Sequence, residues 1–85
     1  MKWYKGRVDF YKFAKDGMIF RWDWDRNFMY LISDIRRVDD PWPRFLCRVE
    51  TLGAGLVTNN YDIQSLYRGF AYARPKKPPK LEDML

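Results

Sequence analysis

The chain has 85 residues, of which 47% are apolar and 19% aromatic, and it carries a net charge of +5. That length fits one small domain, and no run approaches the roughly 20 apolar residues that a membrane-spanning helix needs. Histidine is absent, which removes the most common general base and the most common metal ligand. The single cysteine, Cys47, lies in an apolar run and is expected to be a buried thiol in a reducing cytoplasm. We therefore expect a non-catalytic protein that uses no cofactor and no metal.

The basic residues are concentrated towards the two ends of the chain. The first 15 residues hold five basic side chains against one acidic side chain, and the stretch from residue 67 onward holds five against two. The middle of the chain is near-neutral to acidic. Phosphate contacts supply most of the sequence-independent affinity for nucleic acids, so a basic edge beside many aromatic residues suits a polyanionic partner.

Aromatic and β-branched residues are frequent, and no long segment has helical apolar spacing, so we predict an all-β fold. An Asp-Gly pair at residues 16–17 predicts a hairpin between the first two strands, and the prolines of DDPWP end the segment before the fourth. The third strand is apolar on both faces and is expected to be central or to face a partner. Five strands are predicted, at residues 6–13 (GRVDFYKF), 18–24 (MIFRWDW), 28–32 (FMYLI), 44–52 (RFLCRVETL) and 56–63 (LVTNNYDI).

Five short strands joined by tight turns predict a small five-stranded barrel of the OB or SH3-like type, formed by residues 1–66. Residues 67–85 are expected to add an extra strand or turn and a basic, proline-rich tail. Within them, RGFAYA at 68–73 resembles the base-stacking strand of an RNA-recognition motif. Only twelve residues follow it, too few for the helix and strand that such a motif still requires. We therefore expect RGFAYA to pack on the barrel.

The segment KGRVDFYKFAKDGMIF, followed by NFMYLISDI, resembles the cold-shock domain. That family opens with K-G-x-V-K-W-F-N and continues with K-G-F-G-F-I and V-F-V-H-F-S-x-I. The resemblance covers about residues 5–64 and implies an OB-fold; an S1-type OB domain fits the third block about as well. The matching positions are Lys5, Gly6, Val8, Phe10 and Tyr11, then Lys15, Gly17 and Phe20, then residues 28–33 and Ile35.

The cold-shock resemblance implies binding of single-stranded RNA or DNA with little sequence preference, because bases stack on aromatic side chains whatever their identity. It implies stacking by Phe10, Tyr11 and Phe20, and it places Met18, Met29 and Leu31 where the family has aromatic residues or histidine. Lys5, Lys12 and Lys15 would contact phosphates, and Arg68, Lys76 and Lys77 would extend the electrostatic footprint.

Strand alternation supports a different interpretation of the second strand. One face of this strand would carry Met18, Phe20, Trp22 and Trp24. If the cold-shock resemblance is set aside, this row of apolar side chains is expected to form the core of the barrel. The corresponding alternative function is a protein-binding adaptor or inhibitor on a small OB or SH3-like barrel. Such a protein would contact its partner through the strand at residues 28–32.

Overall fold

Six antiparallel strands form one sheet across residues 1–75, the residues that the computed structural model describes. The predicted all-β class is confirmed, although the sheet has six strands instead of the predicted five. Two short 3-10 turns, Phe10–Lys12 and Ile63–Ser65, interrupt the connections. The strands are β1 (Tyr4–Lys5), β2 (Ile19–Trp22), β3 (Tyr30–Val38), β4 (Arg44–Thr51), β5 (Val57–Asp62) and β6 (Phe70–Ala73).

The strand order is β1-β6-β2-β3-β4-β5. Strands β2 to β5 follow one another as a meander, so β3, which contains most of the FMYLI segment, lies inside the sheet as predicted. The chain then returns, and β6 pairs with β2 on one side and with β1 on the other, with Tyr72 opposite both Phe20 and Tyr4. The RGFAYA segment is therefore an interior strand of the same sheet, whereas the sequence predicted an addition to a complete barrel.

The predicted first strand at residues 6–13 is wrong. The Gly6 amide donates a hydrogen bond to the Phe70 carbonyl at 2.7 Å, and beyond it the chain leaves the sheet and forms the first 3-10 turn. The spacing of Phe10 and Phe13 explains this, because residues three apart lie on the same side of a 3-10 turn. The turn places Phe10 in the core, and the Asp-Gly pair that follows does not join two paired strands, although Gly17 has φ +93°.

Two irregularities bend the long strands around the core. The register of β3 against β4 shifts between Ser33 and Arg36, where Asp34 adopts φ +50°. A second shift lies between Cys47 and Val49, where β4 pairs with β5. Bulges of this kind increase the local twist of a strand, so the sheet curls towards its concave face.

The main core fills that concave face. Its buried members come from every strand except β1 and β5 and from both 3-10 turns. Cys47 is fully buried, and its burial raises the pKa of the thiol from 9.0 to about 11, which agrees with the predicted inert core thiol. A smaller cluster of Ile19, Met29 and Ala73, covered by Trp3, Leu31 and Leu52, is separate from the main core. The buried residues of the main core are Phe10, Met18, Phe20, Ile32, Cys47, Val49, Ile63, Leu66, Phe70 and Tyr72.

Candidate nucleic-acid interface

Four of the side chains expected to cover bases lie in the interior. Phe10 is 0% exposed, Phe20 2%, Met18 3% and Met29 6%. A side chain without an exposed face has no surface on which a base can stack, so the structure does not support a stacking role for these four. Tyr11 is half-buried and packs at 5.7 Å, centroid to centroid, on the ring of Phe45.

The expected platform is also divided between two clusters. Phe20 belongs to the main core, whereas Met29 and Leu31 belong to the smaller cluster around Ile19. Alternation along β2 explains the division, because Ile19 and Phe20 are neighbours and must point to opposite faces of the sheet. The alternative expectation, that the row from Met18 to Trp24 forms the core, holds only in part, because Trp24 is 70% exposed.

One exposed and one half-buried aromatic ring, Tyr4 and Phe13, lie against the buried Tyr72 at the β1 edge of the sheet. Tyr4 in β1 lies directly opposite Tyr72 in β6, and their rings stack with centroids 5.5 Å apart. The Tyr72 ring also contacts the ring of Phe13, again at 5.5 Å. Because Tyr4 is 44% exposed and Phe13 is half-buried, this row of rings continues from the core to the surface.

Three cationic side chains lie over these surface rings. The Lys2 ammonium is 5.1 Å from the centroid of the Tyr4 ring. The guanidinium groups of Arg7 and Arg74 lie 5.6 Å and 5.8 Å from the centroid of Phe13. Contacts within about 6 Å are cation–π interactions and contribute about 0.5–1 kcal/mol at exposed sites. We call Lys2, Tyr4, Arg7, Phe13 and Arg74 the basic–aromatic band.

The predicted phosphate contacts Lys5, Lys12 and Lys15 are all exposed and border the band in sequence. The Lys12 ammonium lies 5.9 Å from the centroid of the Tyr11 ring, which repeats the pairing of cation and ring. Arg7 of the band forms an ion pair with Asp9 at 2.9 Å, and because both side chains remain accessible to solvent the pair contributes little stability.

A groove of about 180 Å³ lies at one end of the band, where Arg74 and Lys15 supply cationic lining. Gly17 and Asp16 also line it. The Asp16 carboxylate accepts a hydrogen bond from the Ile35 amide at 3.1 Å, so part of its acceptor capacity is already used. The groove therefore offers two cations and one engaged carboxylate to an anion.

The remaining predicted contacts lie elsewhere. Arg68 precedes β6 and Arg74 follows it, so the two arginines flank opposite ends of that strand. The Arg68 guanidinium lies 5.9 Å from the centroid of the Tyr67 ring, outside the band. Lys76 and Lys77 fall outside the described residues.

Lys2 and Tyr4 precede residue 5, where the cold-shock resemblance begins, and Phe13 lies within the resemblance at a position that matches no residue of the family pattern. The N-terminal sequence contains the signal nevertheless: Lys2 and Tyr4 are two apart, so they share a face of any strand. Phe13 and Arg74 are 61 positions apart in the chain, and only the return of β6 beside β1 brings them together.

Among residues 1–75 there is no group of three or more acidic or cysteine side chains that could hold a metal ion. In the same range, no helix has the length and apolar character needed to cross a lipid bilayer. Comparisons with protein-family models, with curated proteins and with solved structures find no match for this chain.

Proposed function

We propose that this protein binds single-stranded RNA or DNA without catalysis and with little sequence preference, through the basic–aromatic band. The observation that supports this function best is the placement of three cations over two surface rings, Tyr4 and Phe13. A single strand presents the two matching features, a phosphate backbone and unpaired bases with exposed faces.

Binding would use both parts of the band. Lys2 and Arg74 would exchange their ring contacts for phosphates, and each neutralised phosphate releases counterions from the strand. The ring faces of Tyr4 and Phe13 that these cations leave would then stack on bases, and each stacked base would contribute about 1–3 kcal/mol to binding. Stacking reads no base edges, which is why little sequence preference is expected.

The finer fold is part of the same proposal. The bulges at Asp34 and beside Cys47 would curl the sheet into a small barrel. We infer the SH3-like member of the two barrel types considered, because β6 returns beside β2 after a four-strand meander. The resemblance to the cold-shock domain remains a prediction, and its opening block corresponds here to the end of β1, a loop and the first 3-10 turn.

The proposal is tested by titrating the full chain with a fluorescently labelled oligo-dT at low salt and comparing two variants of equal charge. Arg74→Gln removes a cation from the band, whereas Arg37→Gln removes one from an exposed ion pair with Asp39. We expect Arg74→Gln to weaken binding about threefold to tenfold and Arg37→Gln to change it less than twofold, since phosphate contacts act locally. Equal effects of the two variants, or no binding by the unmodified protein, would contradict the proposal.

A protein partner is the second candidate function. The segment that the sequence suggests for this role, residues 28–32, is enclosed between neighbouring strands, with Met29 and Ile32 buried. The observation that favours a partner is instead β5, an outer strand of the described sheet that follows the exposed Leu56 and begins with the exposed Val57. Outer strands offer unpaired backbone groups to a second chain.

A further inference from the structure

An aromatic pocket of about 250 Å³ opens on the concave side of the sheet, apart from the basic–aromatic band. Four rings contribute to its lining: Phe20, which is only 2% exposed, and the half-buried Trp22, Tyr30 and Tyr61. The rings of Tyr30 and Tyr61 lie nearly parallel to Phe20, at 19° and 29°, whereas Trp22 stands at 81° to it. The pocket therefore has ring surfaces in two roughly perpendicular planes.

The Trp22 wall of the pocket is supported from outside. Trp24 stacks on Trp22 with centroids 4.8 Å apart and 18° between the planes. Trp24 in turn lies against Gly69, where an added Cβ would overlap its ring. Gly69 adopts φ +66°, so a glycine is favoured there on both counts. This is the position that the glycine of RGFAYA occupies, and it helps to hold the pocket in shape.

The lining contains no charged side chain, and its polar side-chain groups are the hydroxyls of tyrosine and threonine and the indole N–H of Trp22. Burial, and then the neighbouring Cys47 and Asp62, raise the pKa of the Tyr61 hydroxyl, which keeps that group neutral. The basic neighbour Arg21 is directed elsewhere, with its guanidinium 4.1 Å from the centroid of the Trp3 ring.

These features select one kind of ligand. Ring faces carry negative partial charge and attract cations. An ordinary ammonium would lose its water here without gaining a carboxylate, whereas a quaternary ammonium has no N–H groups to satisfy. At about 30 Å³ per water, 250 Å³ corresponds to about eight waters, enough for a trimethylammonium group and part of its linker.

We propose that this pocket binds the quaternary ammonium of a trimethylated lysine, presented by an extended peptide that lies along β5. Leu56 and Thr58 form the side of the pocket next to that outer strand. A peptide paired with β5 would direct alternate side chains to the concave face, as in other cases of strand addition. The site is independent of nucleic-acid binding, because none of the band residues lines it.

The test is a titration of the full chain with a short peptide containing one Nε-trimethyl-lysine, followed by the fluorescence of its tryptophans and by the NMR shift of the Trp22 indole N–H. The matched control peptide carries the neutral tert-butyl isostere, in which carbon replaces the quaternary nitrogen. We expect the trimethyl-lysine peptide to bind roughly fivefold to thirtyfold more tightly than the isostere, the range that cation–π energies give. Equal affinity for the two peptides would overturn the proposal, as would an unshifted Trp22 indole.

Two charge variants at the rim test the same point without disturbing the core. Leu56 is 68% exposed, so Leu56→Glu and Leu56→Lys are expected to fold. The carboxylate of Leu56→Glu should make the peptide complex about threefold tighter, and the ammonium of Leu56→Lys about threefold weaker, than the loss of the leucine side chain alone would give, whereas the neutral isostere should bind both variants equally. Equal affinities of the two variants would contradict a cationic ligand. Tighter binding of phosphocholine than of the peptide would overturn lysine as the carrier.

Discussion

Gly6→Ala is expected to separate β1 from the sheet. A Cβ at Gly6 would lie 2.5 Å from two ring carbons and from the carbonyl oxygen of Phe70, a buried residue that cannot move away. The variant must lose the 2.7 Å hydrogen bond from the Gly6 amide to that carbonyl, or shift the strand that carries it. Overpacking costs about 1–3 kcal/mol and the hydrogen bond about 1 kcal/mol, which gives a loss of about 2–4 kcal/mol of unfolding free energy.

Urea denaturation measures this loss, and the midpoint should fall by about 1 to 3 M, given the slopes typical of small proteins. Because β1 carries Tyr4, the same variant should bind oligo-dT at least about fivefold more weakly, the value of one stacked base. The matched control is Gly55→Ala, where φ is +70° and a Cβ would meet nothing within 4 Å. That control should cost only the backbone strain of about 1–2 kcal/mol and leave oligonucleotide binding unchanged. If Gly6→Ala matches the control in both assays, β1 does not dock on β6 as described.

Three further predictions concern single side chains. Tyr4→Ala should weaken oligo-dT binding about fivefold or more. The control is Tyr67→Ala, which removes an exposed tyrosine that also has an arginine over its ring and should leave binding unchanged. Equal losses of affinity in the two variants would show that Tyr4 is not part of the interface. Phe20→Ala should cost about 3–5 kcal/mol of stability in urea denaturation, as expected for a core aromatic, and a stable variant with selectively lost binding would contradict its burial. Burial raises the pKa of the Cys47 thiol from 9.0, its ordinary value, to about 11 in the folded protein, so the free energy of unfolding should fall as pH rises from 9 to 11. Urea titrations of Cys47→Ala should show a smaller fall over that range. An equal fall in the variant and the unmodified protein would refute this.

Local patterns in the sequence predicted the second half of the fold well. The expected strands at residues 44–52 and 56–63 correspond to β4 and β5 within one residue at each end, because the prolines of DDPWP and the glycines at 53 and 55 mark turns next to them. The same reasoning failed at residues 6–13. A segment containing Phe10 and Phe13 fits either a strand or a 3-10 turn, and the Gly6–Phe70 contact that decides between them joins distant parts of the chain.

The sequence predicted a candidate site made of basic and aromatic residues, but the residues of the basic–aromatic band are not the ones it named. The lysines near the N-terminus are exposed, and the ammonium groups of Lys2 and Lys12 lie over tyrosine rings; their predicted contact with phosphates remains a prediction. Which rings reach the surface depends on the pairing of β6 with both β1 and β2, since that pairing buries Phe20 and leaves Tyr4 at an edge. A β6 that returns from the end of the chain cannot be inferred from neighbouring residues, so the band became visible only with the sheet order.

The salt dependence of oligo-dT binding tests the central claim most directly. If at least four band and neighbouring cations contact phosphates, the logarithm of the binding constant should fall with the logarithm of salt concentration with a slope of about −3. Affinity measured by tryptophan quenching should then drop about fiftyfold between 50 mM and 200 mM salt. Absence of binding at 50 mM salt, or an affinity that changes less than about threefold over this range, would contradict nucleic-acid binding through the basic–aromatic band.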